Sequence, residues 1–274
     1  MRIAYFGYNA LSSCLDLLAH RGHEITSIYT GEASLHSDNI INSAQHLQCQ
    51  LSFDKPSKQH MEALVESGVD MFFAAEYPWR IPIPKQLKYA INVHPTLLPE
   101  GRGPTPLPSL ILHQPQHAGV SLHKMTDDID GGDILLQQKI TIDKDESFDT
   151  LSAKLFLETP LLLDQLLTGL SNYYEDSTPQ IGGSYWPQIT RQEQTVDWNQ
   201  PTPVVLQQIR AFGSLGTYTE INGHRYLITH AEGVKHQHNV NTGDVLSVDN
   251  IKLVIATSDG LVSIARSCLI SLKS

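Results

Sequence analysis

The first 95 residues alternate between short apolar runs and amphipathic stretches, and that rhythm restricts the fold more than any other feature. Residues 3–9 (IAYFGYN) are an apolar run ending around Gly7, the pattern of a buried strand feeding a turn. Residues 12–20 place Leu15, Leu17 and Leu18 at helical spacing, and Arg21-Gly22 supplies the stop. The same reading gives a strand over 24–29, a helix over 40–47 and a strand over 50–53. Pro56-Ser57 then opens a helix that Gly68 ends, and residues 69–75 (VDMFFAA) and 89–94 (YAINVH) are further strands. Strands and helices alternating at this length predict a mostly parallel sheet covered on both faces, a doubly wound, Rossmann-like α/β fold.

After Gly119 the pattern changes. Residues 120–125 (VSLHKM) and 133–142 (DILLQQKITI) read as adjacent strands. Ser147 caps a long amphipathic helix with Leu151, Leu155 and Phe156 on one face, and Pro160 is expected to kink or end it. Residues 176–194, rich in Ser, Pro, Gly and Gln, read as a linker or an extended excursion. A short helix over 204–212 leads into strands broken by Asn222-Gly223, Thr242-Gly243 and Asp259-Gly260, the pattern of a small β-barrel or open-sheet module. The expected division is a catalytic domain over 1–190 and a small β-rich domain over 191–274.

Charge bears on partners. With 29 acids against 19 bases the net charge is −10, which disfavours nucleic acid, because affinity for phosphates needs clustered Lys and Arg. Three widely spaced cysteines without a CxxC pair argue against a disulfide framework or a zinc knuckle. No apolar run approaches the roughly 18 residues of a membrane span, and the N-terminus runs directly into a strand, so the chain is expected to be cytoplasmic and not membrane-bound.

The stretch richest in chemistry is 91–106, INVHPTLLPEGRGPTP. On a strand Asn92 and His94 share a face, and they stand where ligands gather in doubly wound sheets, at the carboxyl end. An amide and an imidazole there can polarise a carbonyl and move a proton. Taken alone, the pair reads equally well as two satisfied structural polar groups. The following loop, dense in Pro and Gly, is either a stiff ligand-approaching segment or an ordinary surface turn. Residues 126–135 (TDDIDGGDIL) hold four acids but lack the glutamate of an EF-hand. Asp130 before Gly131-Gly132 is the acid best placed to be held toward a site. Asp127 and Asp128 are expected to face solvent, and Asp133 could do either.

Together these pieces resemble the folate-dependent formyltransferases, which include methionyl-tRNA, glycinamide ribonucleotide and sugar-amine enzymes. The family's N-x-H and leucine-leucine-proline loop match Asn92-Val93-His94 with Leu97-Leu98-Pro99 and Gly103. Its second motif matches Gly119-Val120-Ser121, then Asp130, Gly132 and Asp133. The resemblance extends weakly to both ends of the chain. It implies N10-formyltetrahydrofolate as formyl donor, an amine acceptor and no metal. Asn92 would stabilise the oxyanion, His94 move the proton and Asp130 orient the imidazole. The pterin edge would meet Ala75, Glu76, Tyr77, Pro78 and Trp79, with Leu98 and the Asp130–Asp133 loop. Tyr77 and Trp79 read equally as core packing.

The acidic balance and lack of a lysine-rich run favour a small acceptor, first a nucleotide-linked amino sugar, with Arg80, Arg102 and Gly103 as contacts. Methionyl-tRNA, or an amine in siderophore or peptide synthesis, are the other acceptors. A folate-binding module without catalysis is the reading from another class, and an oxidoreductase would need the GxGxxG turn that Gly7-Tyr8-Asn9-Ala10 lacks. The C-terminal module offers a surface for a homodimer.

Overall fold

The structure is a computed structural model and describes residues 1–34 and 36–272. Lys273 and Ser274, at the end of the expected second domain, lie outside the described residues. Two compact units are present. One comprises Met1–Pro106, His117–Thr141 and Ser152–Trp186; the other Leu107–Gln116, Ile142–Leu151 and Pro187–Ser274. Two segments, 107–116 and 142–151, group with the C-terminal residues.

In the first unit β1 (Arg2–Gly7), α1 (Ser12–His20), β2 (Glu24–Tyr29), α2 (Asp38–Leu47), β3 (Gln50–Ser52), α3 (Lys58–Glu66), β4 (Met71–Ala75) and β5 (Tyr89–Thr96) follow the predicted alternation. Ser57 caps α3 through its hydroxyl, which accepts the His60 N–H at 3.2 Å. Strands β6 (Ala118–Lys124) and β7 (Ile134–Lys139) complete a seven-stranded sheet of order β3-β2-β1-β4-β5-β6-β7. β1 to β5 run parallel, and β6 and β7 each run antiparallel to the preceding strand. The central strands are buried throughout, with Ile3, Phe6, Phe72, Phe73 and Ile91 inaccessible to solvent. This explains why they read as continuous apolar runs rather than as alternating ones. Strand order reverses direction between β1 and β4, so the crevice beyond their carboxyl ends is the topological switch point.

Helix α4 (Pro106–Leu112) begins on a proline, where the missing N–H is no loss. Helix α5 (Phe148–Thr168) does not end at Pro160 but continues past it to Thr168. A proline at 160 removes the N–H that would reach the carbonyl of Phe156, and the Ser13 hydroxyl donates to that carbonyl instead at 2.9 Å. Phe156 also departs from the expected face: Leu151 and Leu155 are buried, whereas Phe156 is exposed. A short helix, α6 (Leu170–Glu175), ends this region.

The second unit holds α7 (Thr202–Phe212) and strands β8 (Thr217–Ile221), β9 (His224–Ile228), β10 (Glu232–Lys235), β11 (Val245–Val248), β12 (Lys252–Ala256), β13 (Gly260–Ala265) and β14 (Leu269–Ser271). They form two antiparallel sheets, of order β10-β13-β12-β11 and β14-β9-β8. Asn222 and Gly223, both at positive φ (51° and 75°), make the two-residue turn that pairs Ile221 with His224. The core is Val196, Val205, Ile209, Ile228, Leu253, Ile255, Val262 and Ile264. Among the described residues no helix is long and apolar enough to cross a membrane.

Candidate active site

Strand β5 carries Asn92 and His94, and the sequence immediately after them creates the site. Pro95 has no N–H to give to a ladder. The pairing with β6 accordingly slips there, from His94 opposite Ser121 to Thr96 opposite Ala118. The strand thus remains regular through His94 and then opens into the 97–103 loop. Asn92 lies directly opposite His123 of β6, and Ala74 of β4 is its partner on the other side.

Four polar side chains converge at this end of the sheet. Asn92 Nδ2 is 3.0 Å from His123 Nε2 and 3.3 Å from Asp130 Oδ1. His94 Nδ1 faces Asp130 Oδ2 at 3.5 Å, while its Nε2–H donates to the Gly101 carbonyl at 2.7 Å. The Gly103 N–H donates to Asp130 Oδ2 at 2.9 Å. Asp130 takes a left-handed backbone conformation (φ 51°) ahead of Gly131-Gly132. At Gly132 a Cβ would lie 2.0 Å from the Lys124 carbonyl oxygen, so the close loop requires glycine.

Electrostatics follow from this arrangement. Burial holds the His94 imidazole below its ordinary pKa, against the pull of Asp130 and of the Gly101 carbonyl. His94 is therefore neutral at pH 7 and able to accept a proton. Burial alone would raise Asp130, but the contacts from His123 and His94 and the Gly103 N–H outweigh it and hold the carboxyl at about 2. A permanently ionised carboxylate beside a neutral, buried imidazole favours the proton's arrival on that ring.

His123 is the member that the sequence reading missed. It is 2% exposed at the side chain, and its place opposite Asn92 follows only from strand register. Part of the segment read as a linker or an extended excursion also reaches the site. Gln180 Nε2 donates at 2.7 Å to the carbonyls of both Asp130 and Gly132. Ser184 Oγ accepts the Gly101 N–H at 3.1 Å and bonds to Glu100. The Arg102 N–H donates to Ser184 O and the Trp186 N–H to Arg102 O, at 3.0 and 2.7 Å. Residues 177–186 are thus an extended strap that fastens both site loops.

The remaining expected site residues occupy varied positions. Ala75 ends β4, and Glu76 follows it at φ 61° with its carboxylate accepting the Ala10 N–H at 3.2 Å. Although Glu76 as a residue reaches solvent, the protein around its carboxyl pushes it up to about 7, the Ala10 N–H opposing. Tyr77 packs edge-on to Phe6 and Trp79, yet its buried hydroxyl has no partner. Among the described residues, the backbone N–H groups of Tyr77, Trp79, Arg80 and Ile81 make no turn or loop hydrogen bond to another backbone group, and Pro78 has none to give. Leu98 is buried, with its N–H on Ser121 Oγ and its carbonyl on Gln137. Asp133 turns away to Lys124 and Ser177, at 3.4 and 3.0 Å. Arg80 pairs with Asp127, whose side chain is fully exposed as expected. Arg102 donates to the Gly182 carbonyl at 3.0 Å and keeps a buried Nε without a partner.

Comparison with known proteins bears on this geometry. Residues 38–165 match the model of a family described as formyl transferase, and residues 188–269 that of the formyl transferase C-terminal domain. A methionyl-tRNA formyltransferase of Streptococcus pneumoniae (strain P1031) is 30% identical over 227 residues, covering 79% of this chain and 72% of that protein. The chain belongs to the folate-dependent formyltransferase family. It is an N-formyltransferase, and its donor is N10-formyltetrahydrofolate. Among solved structures, a variant of HypX from Aquifex aeolicus superposes with a TM-score of 0.73 at 23% identity, over 96% of this chain but only 45% of HypX. WlaRD, a sugar 3N-formyl transferase solved with dTDP and 5-N-formyl-THF, gives 0.69 at 18% identity over 100% of this chain and 98% of its own. At these identities the two structures speak for the fold. The Tyr77 hydroxyl, buried without a hydrogen-bond partner just beyond β4, has the chemistry to meet the polar edge of the donor's pterin ring.

Proposed function

We propose that this formyltransferase delivers its formyl group to the amine of a small acceptor, a nucleotide-linked amino sugar, and that Asn92, His94 and Asp130 carry the transfer. The observation that carries the catalytic reading is the convergence of these three side chains within hydrogen-bond and ion-pair reach at the carboxyl end of β5. Donor folate supplies an electrophilic formyl carbon, and the protein's part is to polarise it and to move protons. Asn92 Nδ2 offers a hydrogen to the formyl oxygen as negative charge develops there. Neutral His94 takes the proton that the attacking nitrogen must lose at Nδ1, the ring nitrogen left without a hydrogen while Nε2–H is bonded to the Gly101 carbonyl. Asp130, held ionised at about 2, stabilises the resulting imidazolium.

Two features support a small acceptor. A net charge of −10 disfavours a partner held through many phosphate contacts, and Glu76 places a carboxyl group just beyond the end of β4. WlaRD, a sugar formyl transferase, has nearly the same length and fold. A second reading, methionyl-tRNA as acceptor, is favoured by the 30% identity to the tRNA enzymes. Incubating the purified chain with N10-formyltetrahydrofolate and, in parallel, amino-sugar nucleotides and methionylated initiator tRNA separates them by mass spectrometry. Formylation of a sugar amine is expected; formylation of the tRNA alone would overturn the acceptor assignment.

A further inference from the structure

A carboxamide has two ends of nearly equal size, so only its partners decide which way Asn92 presents donors and which way its acceptor. Those partners are unusually restrictive. His123 Nδ1 lies 2.8 Å from the backbone carbonyl of Lys124. A carbonyl only accepts, so Nδ1 carries the hydrogen, and in the neutral ring Nε2, which also lies 3.6 Å from Asp130 Oδ1, presents a lone pair; the pull of His123 on the Asp130 carboxyl belongs to the protonated ring. That lone pair meets Asn92 at 3.0 Å. Asp130 Oδ1, also an acceptor, meets the same end of Asn92 at 3.3 Å. Reversing the carboxamide would set its oxygen against the Asp130 carboxylate and against an imidazole nitrogen with no hydrogen to offer. Neither contact is tolerable at a buried position.

We propose that His123 is a positioning residue for formyl transfer: its ring, fixed by the Lys124 carbonyl, holds the Asn92 carboxamide with its NH2 toward Asp130 and the reacting centre. His123 takes one amide hydrogen in the shorter bond and fixes the plane. The second hydrogen, shared with Asp130 at the longer distance, is the one lent to the formyl oxygen. Asp130 tolerates the loan because its other oxygen retains the Gly103 N–H at 2.9 Å. The sheet register supports this division of labour, since Asn92 and His123 are direct partners and cannot drift apart without unpairing β5 from β6. This proposal rests on the formyl-transfer reading of Asn92.

The test uses the full chain with His123→Leu and His123→Gln. A glutamine carries an acceptor oxygen to about the place of Nε2, whereas leucine fills the space without one. For His123→Leu, kcat is expected to fall about tenfold or more with KM for the formyl donor little changed, and His123→Gln to recover most of the loss. Side-chain amide resonances of Asn92, assigned with Asn92→Asp, are expected to shift in His123→Leu and to return toward their original positions in His123→Gln. The inference is overturned if leucine leaves kcat within twofold of the parent, or if glutamine is as impaired as leucine. If the parent shows no formyl transfer at all, the amide resonances decide alone, and their failure to move in His123→Leu overturns it.

Discussion

The β-rich part of the second unit and the end of the sheet in the first bury polar groups in opposite ways. In the second, the apolar core is Val, Ile and Leu, and the buried polar groups near α7 and the sheets are hydroxyls. Thr202 and Thr257, for example, hydrogen bond to each other at 2.7 Å. In the first, the end of the sheet holds two imidazoles and a carboxylate, all nearly shielded from water. A hydroxyl pair can satisfy itself locally, whereas ionisable groups withdrawn from water need several partners each. The first unit supplies them from β5, β6, two loops and the strap, and retains groups able to exchange protons. The contrast separates burial that only packs from burial that keeps groups able to exchange protons.

Changes to each unit sharpen that contrast. The largest effect on stability is expected in the second: Ile255→Ala, at a fully buried position, should lower unfolding free energy by about 3 kcal/mol. Turnover per folded molecule should remain unchanged; denaturant unfolding and active-site titration check both. Next comes the acid response of the first unit. Asp130's pKa is lowered in the folded state relative to about 4 in the unfolded chain, so its contribution is complete above pH 4 and is lost as pH falls toward 2. At pH 5 Asp130→Asn should be less stable than the parent by about 2 kcal/mol, a gap that closes near pH 2. The smallest effect belongs to the strap. Gln180→Ala removes two bonds to loop carbonyls and should cost about 1 kcal/mol, while reducing kcat several-fold by loosening Asp130. Equal damage to kcat from Ile255→Ala and Gln180→Ala would erase the distinction between the units.

How far the sequence could be read follows the same division. The strand–helix alternation of the first unit was legible because each element carries its own period, and Asn222-Gly223 was legible because a two-residue turn is a local signal. Asn92 and His94 stood out because two polar residues share a face at the end of an apolar strand. His123 was invisible, since nothing in VSLHKM says that it will stand opposite Asn92 until the register is known. Gln180 and Ser184 lay in a segment that read as a linker or an extended excursion, and the choice between the two could not be made for a chemical reason. The small and amide side chains that make a segment look flexible are also those that bond to backbone. That the helix does not end at Pro160 was equally out of reach, because the hydroxyl that takes up the freed carbonyl comes from Ser13, far away in sequence.

The account's central claim is that His94 is the proton-transferring group of a formyl-transfer site. The most direct measurement is single-turnover transfer of labelled formyl from N10-formyltetrahydrofolate in the parent and in His94→Ala, with folate-analogue binding measured by calorimetry on the same preparations. The account predicts a rate lowered by about a hundredfold or more with analogue affinity nearly preserved. An undiminished rate in His94→Ala would contradict it.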